Sequence, residues 1–403
     1  GYTLAVNVNQ EHGVLARVLL EPVTQVNDSN TYDITAWALP YAYGVHGFAT
    51  KQPMAIEPGF NVVAPAMTTS AYGYIIPYHS FATAKALAQL LKNKVKVRYA
   101  EKPFTMNGRN YEIGTLIVLK TSNLDNWSDI TKAVCSSLNI EAVAVNTGYA
   151  EKGADFGSPD VKIISHAPKV ALLTGDNVGA LAAGEVWSFF EQQLNYPITQ
   201  LNYSFFNRID INKYDVIIAP EGAYKDLATK AVSDKLQAFV RKGGVFIAFE
   251  SAAQQLAANT EWGIKVKELP KADNVDVNNV AKYGESVTNF LRSSIPGAIY
   301  KVYMDNTHPI GYGTEGIYYD LKQDVVTYEP SAQSWNVGVI KKDSYVAGFA
   351  GIKAKAALQE GVVIGVKEMG AGKLVFMADD PIFRNFWEGG KLVLSNAIFF
   401  NGK

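Results

Sequence analysis

The stretch Lys169-Val170-Ala171-Leu172-Leu173-Thr174-Gly175 decides the fold. Its unbroken apolar run, closed by threonine and glycine, reads as a short strand buried on both faces, because a half-exposed strand alternates apolar with polar residues. Working downstream, the unit recurs: a helix over Glu185 to Leu194, a strand over Asp215 to Ala219, a helix over Ser233 to Val240, and a strand over Val245 to Phe249. The pair Gly243-Gly244 ahead of that last strand suits a helix end, where a left-handed residue is needed. Strand and helix alternate, which predicts an open, mostly parallel sheet with helices on both faces. The Asn, Asp, Lys and Ser-rich stretch from Lys265 to Pro296 breaks the rhythm and reads as an insertion. Apolar strands return at Val337 to Ile340, Val346 to Phe349, Val362 to Val366 and Leu374 to Met377, with Gly370-Ala371-Gly372 as a turn and a final helix from Gly390 to Phe400.

Upstream, residues 53–167 read as a small mixed α/β domain. Ala84, Leu87, Ala88 and Leu91 keep helical spacing, and Val95, Val97 and Tyr99 then alternate with Lys96 and Arg98 as a strand. Asn107-Gly108 marks a hairpin, since both turn positions need positive φ. A second helix is marked by Ile130, Val134 and Leu138, ahead of a strand over Ala142 to Val145. Residues 1–52 read as a connecting segment, with strand-like runs at Thr3 to Asn9 and Leu15 to Glu21, a polar patch Asn27-Asp28-Ser29-Asn30, and the aromatic run Tyr41-Ala42-Tyr43. The beginning, Gly1-Tyr2-Thr3, is neither a start methionine nor a signal peptide and reads as an excerpt. The remaining unit is 168–403, with its insertion near 265–300.

With 403 residues, 48% hydrophobic and 19% charged, the chain can bury large cores and is not of disordered composition. Thirty-seven basic and 38 acidic side chains nearly cancel without a block of like charge, which argues against nucleic acid as a partner. No apolar run reaches the roughly 18 residues of a membrane span. The single cysteine, Cys135, excludes an internal disulfide and sits in a helix-like run as a small apolar residue.

Metal chemistry needs converging ligands. Of His12, His46, His79, His166 and His308, none is followed three residues later by Glu and no two are spaced i, i+4, so no metal site is expected in this chain. For nucleophilic chemistry the best candidate is Ala248-Phe249-Glu250-Ser251-Ala252-Ala253, a strand-to-helix elbow. Ser251 would be the nucleophile and His308 the downstream histidine available as its base, although Phe249, two residues before Ser251, is large where an elbow wants a small residue. The plain alternative makes Ser251 a helix N-cap beside Glu250. Gly175-Asp176-Asn177-Val178-Gly179 matches no phosphate-binding pattern and reads as a turn. Asp176, Glu221, Glu250 and Ser251 would nonetheless crowd the carboxyl edge of the parallel sheet, where such folds bind ligands, and form a candidate small-ligand cleft. Trp335, Trp387 and the Tyr312 to Tyr319 region offer aromatics for a glycan or peptide platform, or simply core.

Three stretches carry a family resemblance: Tyr32-Asp33-Ile34-Thr35-Ala36-Trp37-Ala38-Leu39-Pro40-Tyr41-Ala42-Tyr43-Gly44; Lys169 to Gly175 continued by Ala183-Gly184-Glu185-Val186-Trp187-Ser188-Phe189-Phe190-Glu191-Gln192; and Asp380-Pro381-Ile382-Phe383-Arg384-Asn385-Phe386-Trp387 leading to Asn396-Ala397-Ile398-Phe399-Phe400. Together they resemble the region that follows the peptidase domain in large secreted carboxypeptidase A-like zinc metallopeptidases of Bacteroidetes-type bacteria. The resemblance implies a class I glutamine amidotransferase-like, flavodoxin-like three-layer α/β sandwich from about Lys169, preceded by the smaller mixed α/β domain. In working amidotransferases a cysteine stands at the elbow; here Glu250-Ser251 stands there, so that activity is not implied. The resemblance further implies a non-catalytic accessory region. Its partner would be an upstream peptidase domain of the same polypeptide holding the zinc, its ligand a peptide or glycan, and its location periplasmic or secreted. The alternative is an independent hydrolase or transferase working through Glu250-Ser251.

Overall fold

The computed structural model describes residues 3–23, 36–52, 54, 67–164, 166–269, 280 and 282–401. Its first element is a helix, α1 (Gly13–Leu20), where Leu15 to Glu21 had the look of a strand. A short apolar run fits either period, and the helix-forming Leu, Ala and Arg side chains decide it. Arg17 reaches Glu21 one turn on at 3.0 Å, a pairing that an extended chain would hold apart. Residues 3–9, also expected as a strand, form no regular element. Asn27 to Asn30 and Tyr32 to Thr35 lie outside the described residues. A single helical turn, α2 (Leu39–Ala42), follows.

The next elements are β1 (Gly73–Ile76), α3 (Phe81–Lys92), β2 (Val97–Ala100), β3 (Phe104–Met106), β4 (Arg109–Tyr111) and β5 (Leu116–Leu119), then α4 (Trp127–Ser137), β6 (Val143–Val145) and β7 (Val161–Ile164). Five of the strands form an antiparallel sheet in the order β6-β1-β5-β2-β7. Ser80 and Thr83 close a capping box that starts α3, whose Ala84, Leu87, Ala88 and Leu91 are buried as their spacing predicts. Strands β3 and β4 form the expected hairpin, with Asn107 at φ 53° and Gly108 at φ 71° in its turn.

The third group begins with β8 (Val170–Thr174), α5 (Ala180–Ser188), β9 (Ile198–Asn202), β10 (Val216–Ala219), α6 (Lys230–Arg241), β11 (Val245–Phe249) and α7 (Glu250–Ala257). It continues through α8 (Ser286–Ser293), β12 (Gly297–Met304), β13 (Ile317–Lys322), β14 (Trp335–Phe349), α9 (Ile352–Leu358), β15 (Val362–Met369), β16 (Gly372–Met377) and α10 (Glu388–Phe399). Nine strands make one sheet, in the order β13-β12-β14-β15-β16-β11-β10-β8-β9. Strands β9, β8, β10, β11 and β16 run parallel. Numbered among themselves in chain order they read 2-1-3-4-5, which is the flavodoxin-like order. The chain therefore has the α/β, flavodoxin-like sandwich of the class I amidotransferase type, extended on one side by four antiparallel strands.

Several local expectations change. The helix expected over Glu185 to Leu194 starts earlier, at Ala180, and finishes as a π-helical segment over Phe189–Leu194, ended by Asn195 at φ 52°. The two strands expected around Val337 and Val346 are one, β14, whose register shifts against β12 and β15 let the polar residues Lys341 to Ser344 remain in it. Within the supposed insertion, α8 forms, while residues 270–279 and 281 lie outside the described part.

The two large sheets share one hydrophobic core. Helix α3 packs on α10, Phe81 stacks on Phe189 at 5.6 Å, and Tyr99 meets Phe400 edge-on at 4.9 Å. At the centre of this contact the buried Asn396 accepts from the Tyr78 hydroxyl (2.7 Å) and donates to the carbonyls of Ile310 (2.9 Å) and Tyr312 (2.8 Å). Among the described residues no helix is long and apolar enough to cross a membrane.

Candidate functional site

The site is set by β11, whose five residues Val245 to Phe249 are all buried between β10 and β16. At its carboxyl end the chain turns directly into α7, and the turn residue is Glu250, at φ 45°. A left-handed conformation at a residue with a Cβ is strained, by an amount on the order of 1–3 kcal/mol, and persists where the surroundings over-determine it. The residues two before and two after it, Ala248 and Ala252, are both wholly buried. Such small flanking residues are what lets a strand and a helix approach at a sharp elbow. The elbow thus centres on Glu250, one position earlier than the reading centred on Ser251. Placed there, the small-residue rule is met without the misfit of Phe249.

Ser251 lies within the first turn of α7 and caps nothing. Its hydroxyl accepts from the Gly222 N–H and donates to the Gly222 carbonyl, both at 2.9 Å. Gln255 adds a hydrogen bond to the same carbonyl at 2.8 Å. Gly222 in turn bridges to Val178, and Glu221 accepts from the Gly179 N–H at 2.8 Å, so the loops after β8 and β10 are pinned to α7. A side chain at Gly222 would meet the Asn177 carbonyl oxygen at 2.7 Å, which explains the glycine. Asp176 is exposed in the Gly175 to Val178 turn and is not among the charges acting on Glu250.

His308 is not brought to Ser251. It follows β12, whose end lies at the amino edge of the parallel strands, opposite the elbow. There it is buried, and its Nδ1 accepts from the Ile310 N–H at 3.2 Å to cap a short turn. Burial, helped by the Lys373 ammonium, pulls its pKa down to about 4. Trp387 is also buried, donating from its indole N–H to the Tyr319 carbonyl at 2.6 Å, and Tyr312 and Tyr318 are core residues; of the suggested platform, Trp335 is exposed.

What gathers around Glu250 is acid. Burial pushes its pKa up to about 7, reinforced by Glu221, Asp324 and Glu185 and opposed by Lys322. Asp380, after β16, is raised well above the usual range by burial and by a hydrogen bond to the Glu185 carboxylate. Asp379 is raised by burial and by Asp320 next to it. Between these groups Lys322 is wholly buried, donating to Asp379 (2.8 Å) and to the Val326 carbonyl (2.7 Å), with Asp324 at 3.4 Å. Burial works against its ammonium, but Asp379, Asp324 and Asp320 outweigh that and its pKa is raised.

Glu185, Asp320, Lys322, Asp324, Asp379 and Asp380 were not among the residues expected here. Asp379-Asp380 had a usable signal, two carboxylates immediately after a buried strand at the sheet's carboxyl edge. Tyr318, Asp320 and Lys322 share one face of β13 at a spacing of two, in a segment whose strand character is masked by its polar residues. The three stretches quoted for the family resemblance also meet at this edge. Trp37 stacks on Phe386 at 6.0 Å and lies under the Arg384 guanidinium at 5.7 Å. The Arg384 N–H donates to Glu185 at 3.2 Å, and the Asn385 amide donates to the Glu185 carbonyl at 3.1 Å. Beside them, Thr174, Gly175, Val178, Trp187 and Gln200 line a shallow hollow of about 290 Å³.

No protein-family model matches the chain, and no curated protein matches it. Among solved structures it is similar to a ThuA-like protein of Bacteroides uniformis at 16% identity, over 57% of this chain and 89% of that one, with a TM-score of 0.33. A ThuA-like protein of Parabacteroides merdae is 10% identical over 57% of this chain and 88% of its own, TM-score 0.37. A glutamine amidotransferase of Thermotoga maritima is 12% identical over 53% and 75%, TM-score 0.33. The 2-1-3-4-5 order of its parallel strands is what makes the fold flavodoxin-like.

Proposed function

We propose that this chain is a non-catalytic accessory region of a carboxypeptidase-like polypeptide, which stabilises the peptidase or helps hold its peptide or glycan substrate. The observation that supports this reading is the occupant of the elbow: Glu250 stands where the amidotransferase resemblance places a cysteine. The neighbouring hydroxyl of Ser251 is engaged at both its donor and its acceptor by Gly222. The one thiol, Cys135, is buried in α4 with its pKa pushed up to about 12 by that burial, away from thiolate reactivity. The zinc of the resemblance belongs to the peptidase domain and none is proposed in this chain. The test is to assay the purified chain for bound zinc and for release of C-terminal residues from peptides, and then to mix it with the peptidase domain. Neither zinc nor cleavage, and a raised melting temperature of the peptidase, are expected. One tightly held zinc, or peptide cleavage by this chain alone, would overturn the reading.

A second reading, a hydrolase or transferase in its own right, is favoured by the elbow carboxyl with a pKa of about 7, which suits general acid–base work. It predicts fluorophosphonate labelling that disappears in Ser251→Ala, or a turnover that disappears in Glu250→Gln.

A further inference from the structure

We propose that the outer edge of β9 binds an extended peptide, which adds to the nine-stranded sheet as an antiparallel strand and sets an aliphatic side chain in the hollow beside Trp187. The edge is the first ground. Strand β9 ends the sheet and pairs only with β8, and among the described residues no other backbone group is bonded to Ile198 through Leu201. Thr199 and Gln200 are exposed, whereas every residue of β10 and β11 is buried. A row of main-chain donors and acceptors with no strand beside it is a template for one more. Edges are ordinarily blunted by charge, proline, bulges or a covering element. Strand β9 has no charged residue and no break in register, and its one guard is Pro197 just before it. The opposite edge, β13, carries Asp320 and Lys322 and packs under α2 and α10.

The hollow is the second ground. Ala180, Ala183, Gly184 and Trp187, spaced i, i+3, i+4 and i+7, turn one side of α5 toward it, and Gln200 of β9 shares its lining, in a space of about 290 Å³. A Cβ added at Gly184 would meet nothing within 4 Å, and Trp187 is 43% exposed, so the α5 wall is free to receive a side chain. Side chains of an added strand alternate between the two faces of the sheet, so every second residue of the peptide faces α5. The lining is mostly apolar and carries no charge, which selects an aliphatic residue there.

Charge sets the direction. Strand β9 finishes beside Gly175, where Asn202 Oδ1 lies 2.6 Å from the position a Cβ on that glycine would take. Asp176 follows in the same turn, and a Glu221 carboxylate oxygen lies 3.2 Å from the Cβ position of Gly179, which caps α5; both acids are exposed. An antiparallel peptide brings its amino end here, where an α-ammonium or a basic first residue is complementary, whereas a parallel one brings its carboxylate. A second copy of the chain fits less well. Across a two-fold axis β9 would pair antiparallel with itself and offer Gln200 and Asn202 to the hollow, two amides where an aliphatic group fits. The inference deepens the accessory reading and rests on it, with peptide rather than glycan as what is held.

The test uses the full chain, without any peptidase, and the peptide Lys-Val-Thr-Val-Thr-Gly with a free amino end and a fluorescent dye at its carboxyl end. A saturable rise in anisotropy is expected, with amide hydrogen exchange slowed at residues 198–202 and the peptide recovered uncleaved. Gly184→Leu, which fills the hollow, and Trp187→Ala, which removes its wall, should each weaken binding about tenfold, the scale of one buried apolar side chain. Replacing the peptide's lysine with glutamate should weaken it about threefold, the scale of an exposed ion pair. Tyr149→Ala, 79% exposed in the loop after β6, should change nothing. No binding by the folded chain, exchange slowed elsewhere, binding of maltohexaose in place of the peptide, or a dimer in light scattering that protects β9 would each overturn the proposal. Failure here with the peptidase still stabilised on mixing would remove this inference and leave the accessory reading standing, whereas cleavage of the peptide by the chain alone would overturn both.

Discussion

Glu250 combines two unfavourable conditions, a left-handed backbone and a partly buried carboxyl among like charges. Because its folded pKa is raised from 4.5 to about 7, the folded chain binds more protons than the unfolded one between those values. Stability contributed by the protonated group is fully present below the unfolded pKa and is lost as pH rises through about 7. Glu250→Gln, which cannot ionise, should therefore match wild type near pH 4.5 and exceed it at pH 8, by an amount on the order of 2 kcal/mol. Denaturant melts at the two pH values check this, and a constant difference would refute the assignment. Lys322 makes the opposite case. Lys322→Met should cost about 3–5 kcal/mol in the same melts, since it leaves Asp379 buried without its partner. Adding Asp379→Asn should recover part of that loss.

At the scale of elements, legibility followed burial. Strands β8, β10 and β11 are unbroken apolar runs and were readable from residues alone, as was the Asn107-Gly108 hairpin. Strands β9, β12 and β13 were not, because Gln200, Lys301 and Asp320 interrupt their patterns for reasons that lie in tertiary structure. The site divided the same way. Glu221, Glu250 and Ser251 could be placed at the carboxyl edge from strand positions, whereas the pairing of Lys322 with Asp379 depends on how the antiparallel strands bring residues 57 apart in sequence together. Contact between α3 and α10 yields a further prediction. Asn396→Ala removes three buried hydrogen bonds and strands the Tyr78 hydroxyl and two carbonyls, so a loss of about 2–4 kcal/mol is expected in equilibrium unfolding.

For the molecule as a whole, one core running through both sheets predicts one cooperative transition. Tryptophan fluorescence and far-ultraviolet circular dichroism should melt together, and residues 168–401 expressed alone should expose the apolar surface that α3 covers and bind a hydrophobic dye. Separate transitions would show that the sheets are energetically independent. Strand β16 sits next to β11 in the sheet, yet more than 120 residues separate Phe249 from its partner Met377 along the chain. During translation, β11 consequently emerges with one flank bare and must wait, at roughly 5–20 residues per second, several seconds or more for the strand that closes it. A ribosome stalled before residue 377 would hold a half-built sheet with an open edge, a natural target for holdase chaperones and proteases.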